Sequence, residues 1–167
     1  SGPPGCRSAS PGGSKASNEK RKLILETRLE PGRVLDGFTI GDCVHDGGMG
    51  FIYRVTGPKA DFPMMMKMPR IGQGQPVEGI VGFEMEVMLL ERIRSSHVPR
   101  FVAAGDLSQT PYLVTEWIEG RLLEDLVGQA PLPLEQLVAI GAAVADALES
   151  LHQQDAIHLD VKPDNIL

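Results

Sequence analysis

The feature that most restricts the possible folds is a change of hydrophobic period along the chain. Between positions 35 and 68 the apolar residues come in three short runs, 38–40, 51–55 and 64–68, each bounded by Gly, Asp or Pro. Short runs closed by turn-forming residues predict strands. Farther on the period lengthens: Phe83, Val87, Leu90 and Ile93 share one helical face and predict a helix over 83–94. Two more strands are expected at 101–104 and 112–116. After Pro131 and Pro133 a longer helix is expected from about 134 to 152, with Leu137, Val144, Leu148 and Leu151 as its apolar stripe and Val138, Gly141 and Ala145 beside it. The stretch 157–167 reads as a polar loop. Antiparallel strands followed by helices predict an α+β fold with segregated layers, not a doubly wound sheet.

Composition narrows the class further. The chain has 167 residues, 42% of them apolar, which gives room for one domain with a real core but not for two large ones. A net charge of −6 argues against a duplex-DNA binder, which needs a basic face, so no nucleic-acid partner is expected. No stretch approaches ~20 consecutive apolar residues, so no membrane span is expected in this segment, and no secretion leader is visible. Cys6 and Cys43 stand in unlike contexts, forming neither a disulfide framework nor a metal site. They fit a reducing compartment, and the expected location is cytoplasmic.

The chain divides unevenly. Gly, Pro and Ser occupy 12 of the first 18 positions, too little apolar surface to offset the entropy of ordering. The segment up to Lys22 carries a charge of +4 and the remainder −10. The expected division is a disordered, Gly/Pro/Ser-rich, basic linker over 1–33 and a folded domain over 34–167.

Five features in a fixed order carry chemistry. The segment from Val44 to Ile52 holds Gly47, Gly48 and Gly50, small residues that let backbone N–H groups approach phosphate oxygens. Lys67 closes an apolar strand, where a buried ammonium requires a partner. Glu86, between Phe83 and Leu90 on the first helix, is a candidate for that partner. The run from Val114 to Gly120 can expose backbone donors and acceptors to a flat ring such as adenine. In the last feature, His158 to Asn165, Asp160 can accept a hydroxyl proton. Lys162 can offset charge on a transferring phosphoryl group, and the Asn165 carbonyl can serve Mg²⁺, a hard cation that takes oxygen ligands.

In these residues the chain resembles the protein kinase family, in particular its bacterial-type Ser/Thr branch, from about Val34 to Leu167. The resemblance implies an N-terminal lobe of antiparallel sheet plus one helix, followed by the first helices of the C-terminal lobe. It implies ATP and Mg²⁺ as cofactors and a protein substrate with a Ser or Thr acceptor. Val44, Gly47, Gly48, Gly50 and Ile52 match the nucleotide-covering loop. Lys67 matches the lysine that contacts the α- and β-phosphates, and Glu86 the helix glutamate that pairs with it. Thr115 falls at the gatekeeper position, and Glu116 to Ile118 at the adenine-facing hinge. Asp160 matches the catalytic base and Asn165 the metal-binding asparagine, while Lys162 is typical of the Ser/Thr branch.

Three departures accompany the resemblance. His45 stands where the first loop glycine is usual. Leu159 stands where an arginine often receives the phosphorylated activation loop, so switching by that ion pair is not expected. The sequence stops at Leu167, before any Asp-Phe-Gly segment, so the polypeptide as given is expected to have little activity, with part of its long helix exposed. The alternatives are a pseudokinase module that binds without chemistry and a small-molecule phosphotransferase. The Lys162-Pro163 pair speaks against the latter.

Overall fold

The computed structural model describes residues 28–48, 50–58, 60–70 and 77–167. Six strands form one antiparallel sheet: β1 (Val34–Leu35), β2 (Phe38–Gly47), β3 (Gly50–Thr56), β4 (Met64–Pro69), β5 (Phe101–Ala104) and β6 (Leu113–Glu116), in the order β1-β2-β3-β4-β6-β5. Three helices accompany it: α1 (Val77–Arg92), α2 (Glu124–Val127) and α3 (Leu134–His152), with a 3-10 turn at Pro163–Asn165. The fold is an antiparallel sheet with one long helix against it, followed by further helices.

Most elements lie where the hydrophobic period puts them. The strand expected over 38–40 runs on to Gly47, because its continuation pairs with β3 although its side chains are largely exposed. Strand β1 and helix α2 lie outside the elements that the hydrophobic period predicts. Strand β1 is joined to β2 by Asp36 and Gly37, both at positive φ (48° and 85°). Such a two-residue turn matches the right-handed twist of the flanking strands.

Pairing register sets what each face of the sheet carries. Phe51↔Met68, Tyr53↔Met66 and Val55↔Met64 place their side chains on one face. There they join Phe38, Ile40, Val114 and Tyr112 in the main apolar cluster. Fully burying an aliphatic or aromatic side chain contributes roughly 1.5–3 kcal/mol. The alternate residues, Ile52, Arg54, Met65, Lys67, Leu113 and Thr115, lie on the opposite face. Leu113 packs there with Phe83 and Val87 of α1, and Phe101 and Leu90 pack against them. Helix α1 therefore covers the face that carries Lys67.

The linker expected over 1–33 falls mostly on residues 1–27, which lie outside the described residues. Within residues 28–33 Leu29 packs against the sheet, and the other five are exposed. Leu29 is 2% exposed, its N–H donates to the Tyr53 hydroxyl at 2.9 Å, and Gly32 and Arg33 exchange backbone hydrogen bonds with Ile40. The packed region therefore begins before 34, because Leu29 supplies a side chain to the main cluster.

Candidate active site

Lys67 stands within β4, two residues before its end, opposite Ile52 on one side and Leu113 on the other. Its ammonium lies 2.6 Å from Glu86 Oε2 on α1. The side chains are 26% and 36% exposed, so the pair sits between sheet and helix with access to solvent. Phe83 and Val87 bury the adjoining surface of the helix and thereby aim Glu86 at the strand. The pairing expected between these two residues is present.

The glycine-rich tip joins β2 and β3. Gly47 and Gly50 face each other across the hairpin, and Gly50 also pairs with Pro69 of β4. Gly50 has φ of 142°, and a Cβ there would lie 2.0 Å from the Met68 carbonyl oxygen, so the close approach of β3 to β4 requires glycine. Gly48 is exposed at the tip, Val44 is exposed beside a bulge in β2, and Ile52 is half-buried. The His45 imidazole lies over Gly47, in the space that a Cβ on that glycine would need.

After β6 the chain passes through Glu116, Trp117 and Ile118. The Glu116 carboxylate does not face the Lys67 side. Arg100 holds it through two bonds, Nε to Oε2 at 2.9 Å and Nη2 to Oε1 at 3.0 Å, and stacks its guanidinium 3.8 Å over the Phe62 ring. The Arg100 hydrogen bond keeps Glu116 below the usual carboxylate range. Glu116 can therefore serve a ligand through its backbone carbonyl, toward which the buried Thr115 hydroxyl donates at 3.3 Å. The Trp117 backbone N–H donates to the Pro63 carbonyl at 2.8 Å, and Arg54 stacks 3.9 Å over its ring. Ile118 is exposed.

The third group stands in the loop after α3. Asp160 Oδ2 accepts from Lys162 Nζ at 2.9 Å and from Asn165 Nδ2 at 3.0 Å, and Asn165 Nδ2 also donates to the Asp160 carbonyl at 2.9 Å. Leu159, at φ of 60° and 89% exposed, turns the backbone just ahead of Asp160. The Lys162 ammonium first, and the Asn165 amide after it, hold the Asp160 carboxyl below its ordinary value. Asp160 in turn raises Lys162. With its Nδ2 committed to Asp160, Asn165 has its carbonyl oxygen left for a hard cation, a donor that suits Mg²⁺. Among the described residues no cluster of three or more His, Cys, Asp or Glu could hold a metal.

The sequence-predicted residues thus fall into a Lys67–Glu86 pair with the glycine tip beside it, a hinge strand, and an Asp160–Lys162–Asn165 cluster. Among the described residues no hydrogen bond or ion pair joins the first group to the last. Two further contacts join residues that the sequence pattern does not pair. Arg70 bridges to Asp46 at 2.5 Å, a pairing of residues remote along the chain that leaves no local pattern. Arg100–Glu116 was legible in principle, because pairing of Phe101 with Thr115 puts positions 100 and 116 opposite each other.

Comparison with known proteins places these features in one family. The family described as "Protein kinase domain" matches residues 38–167. A probable serine/threonine-protein kinase of Clostridium perfringens is 31% identical over 138 residues, covering 81% of this chain and 20% of the relative. The probable serine/threonine-protein kinase YbdM of Bacillus subtilis is 27% identical over 150 residues, covering 88% and 59%. The chain thus spans only part of the length of these relatives. In fold it is similar to the crystal structure of the Mycobacterium tuberculosis PknI kinase domain, with a TM-score of 0.69 and 24% identity over 83% of this chain and 57% of that one.

Proposed function

The chain belongs to the protein kinase family, and from that premise we propose that the full-length protein transfers the γ-phosphoryl group of ATP to a Ser or Thr hydroxyl of a protein substrate. The observation that carries this reading is the 2.6 Å Lys67–Glu86 ion pair, formed between a strand and a helix beside the glycine-rich tip.

In this reading Lys67, steadied by Glu86, contacts the α- and β-phosphates. Backbone groups of Gly47, Gly48 and Gly50 cover the phosphates, with Val44 and Ile52 as apolar contacts beneath the tip. Glu116 and Ile118 offer the adenine their backbone polar groups. Asp160 orients the acceptor hydroxyl and takes its proton as the oxygen bonds to the γ-phosphorus. The bond from that phosphorus to the β,γ-bridging oxygen breaks, and ADP leaves. Lys162 offsets charge on the group in flight. Asn165 would hold Mg²⁺, which when bound neutralises phosphate charge. The unpaired thiol of Cys43 accords with a reducing, cytoplasmic location, which is part of the same proposal.

The test is γ-phosphate transfer by the full-length protein to a generic basic protein in Mg²⁺, with Asp160→Asn and Lys67→Met as controls. Removal of a group acting in general acid–base transfer is expected to lower kcat by about 10²–10⁴-fold. Undiminished transfer by Asp160→Asn would remove Asp160 from its assigned role. A second reading, nucleotide binding without transfer, is favoured by His45, whose ring lies over Gly47 at the tip. Tight Mg-ATP binding with no transfer by the unaltered protein would select it.

A further inference from the structure

Arg70 follows β4 directly and makes three contacts with the glycine-rich hairpin. Its Nη2 lies 2.5 Å from Asp46 Oδ1, its Nε donates to the Gly47 carbonyl at 3.4 Å, and its guanidinium stacks 4.4 Å from the centre of the Phe51 ring. Asp46 precedes Gly47 and is half exposed. It pairs with Phe51, so its carboxylate lies on the face of the hairpin opposite Lys67, and like charges repel through the thickness of the strand proposed to cover a triphosphate. The same guanidinium that neutralises this carboxylate also ties the tip to the strand carrying Lys67.

We propose that Arg70 is a positioning residue for nucleotide binding: it cancels the Asp46 charge, so that the tip can cover phosphates. The inference rests on the kinase reading above. It assigns Arg70 no contact with substrate. It also makes Arg70 necessary only because Asp46 is present.

That dependence gives the test. Mg-ATP affinity of the full-length protein and its variants is measured by equilibrium binding, and KM and kcat by transfer assay. Arg70→Ala is expected to weaken Mg-ATP binding about twofold, the effect of one charge acting across roughly 8 Å in water, with the loss in KM and kcat retained. Arg70→Lys keeps the charge and recovers most of the affinity. The double variant Asp46→Asn/Arg70→Ala also recovers it, although it lacks the same guanidinium contacts, so recovery cannot come from restored packing. Unchanged affinity in Arg70→Ala overturns the proposal, and so does a double variant that binds as weakly as Arg70→Ala. Failure of the unaltered protein to bind Mg-ATP overturns the kinase reading as well. Normal binding by both the unaltered protein and Arg70→Ala overturns this inference alone.

Discussion

Asp160 shows how a neighbour shifts the titration of a single group. An aspartate is ionised at neutral pH in any case, and the Lys162 ammonium, by favouring that form, holds the Asp160 pKa below its ordinary value and so moves the acid end of its titration. Removing the ammonium in Lys162→Met lets that pKa rise toward its ordinary value. The acid limb of kcat/KM is then expected to move to higher pH as kcat falls, which a pH–rate profile reads directly. The two tyrosines report at the other end of the scale. Burial raises Tyr53, and burial with the 2.8 Å bond to Asp36 raises Tyr112. A pKa raised on folding contributes stability that is complete below the unfolded value, about 10, and is lost as pH rises through the folded one. Ultraviolet titration should therefore show no phenolate at the ordinary tyrosine pKa. The phenolate absorbance is expected later, together with alkaline unfolding.

Among the elements, the β2–β3 hairpin depends most on one backbone position. Gly50→Ala would push a methyl group against the Met68 carbonyl at a φ that L-residues rarely adopt. The expected loss is about 1–3 kcal/mol, measured as a lower midpoint of chemical unfolding. Helix α3 is graded along its length. Leu134, Leu137 and Val138 are exposed, Val144 and Leu148 are half-buried, and Leu151 is buried. The exposure expected for part of its stripe is thus present, and it lies at the N-terminal end. At the other end Ser150 and Gln154 fasten the helix to the segment after α1. Periodicity could place this helix on the chain, but it could not say which of its turns finds a partner.

At the scale of the whole molecule, few hydrogen bonds among the described residues tie the sheet and α1 to the later helices. Gln154 grips the backbone of Arg94 from both sides, accepting from its N–H at 2.8 Å and donating to its carbonyl at 3.2 Å. Ser95 and Ser150 share a hydrogen bond at 2.7 Å. Gln154→Ala is expected to cost about 1 kcal/mol and to speed amide exchange of residues 93–95 while β3 and β4 stay protected, as hydrogen-exchange mass spectrometry would show. Among the described residues no helix is long and apolar enough to cross a membrane.

The order of the longer strands and helices was legible in the sequence alone, and so were the residues of the candidate site. Hydrophobic period is a local property, and a Lys, an Asp or an Asn carries its chemistry wherever it stands. Which charges meet was decided by tertiary structure. Pairing of β3 with β4 and the packing of α1 brought Glu86 to Lys67. The β5–β6 register turned the Glu116 carboxylate toward Arg100, and the end of β4 put Arg70 against the glycine tip. Such contacts join residues from 16 to 24 positions apart. Their geometry depends on register and packing, which exist only once the chain has folded.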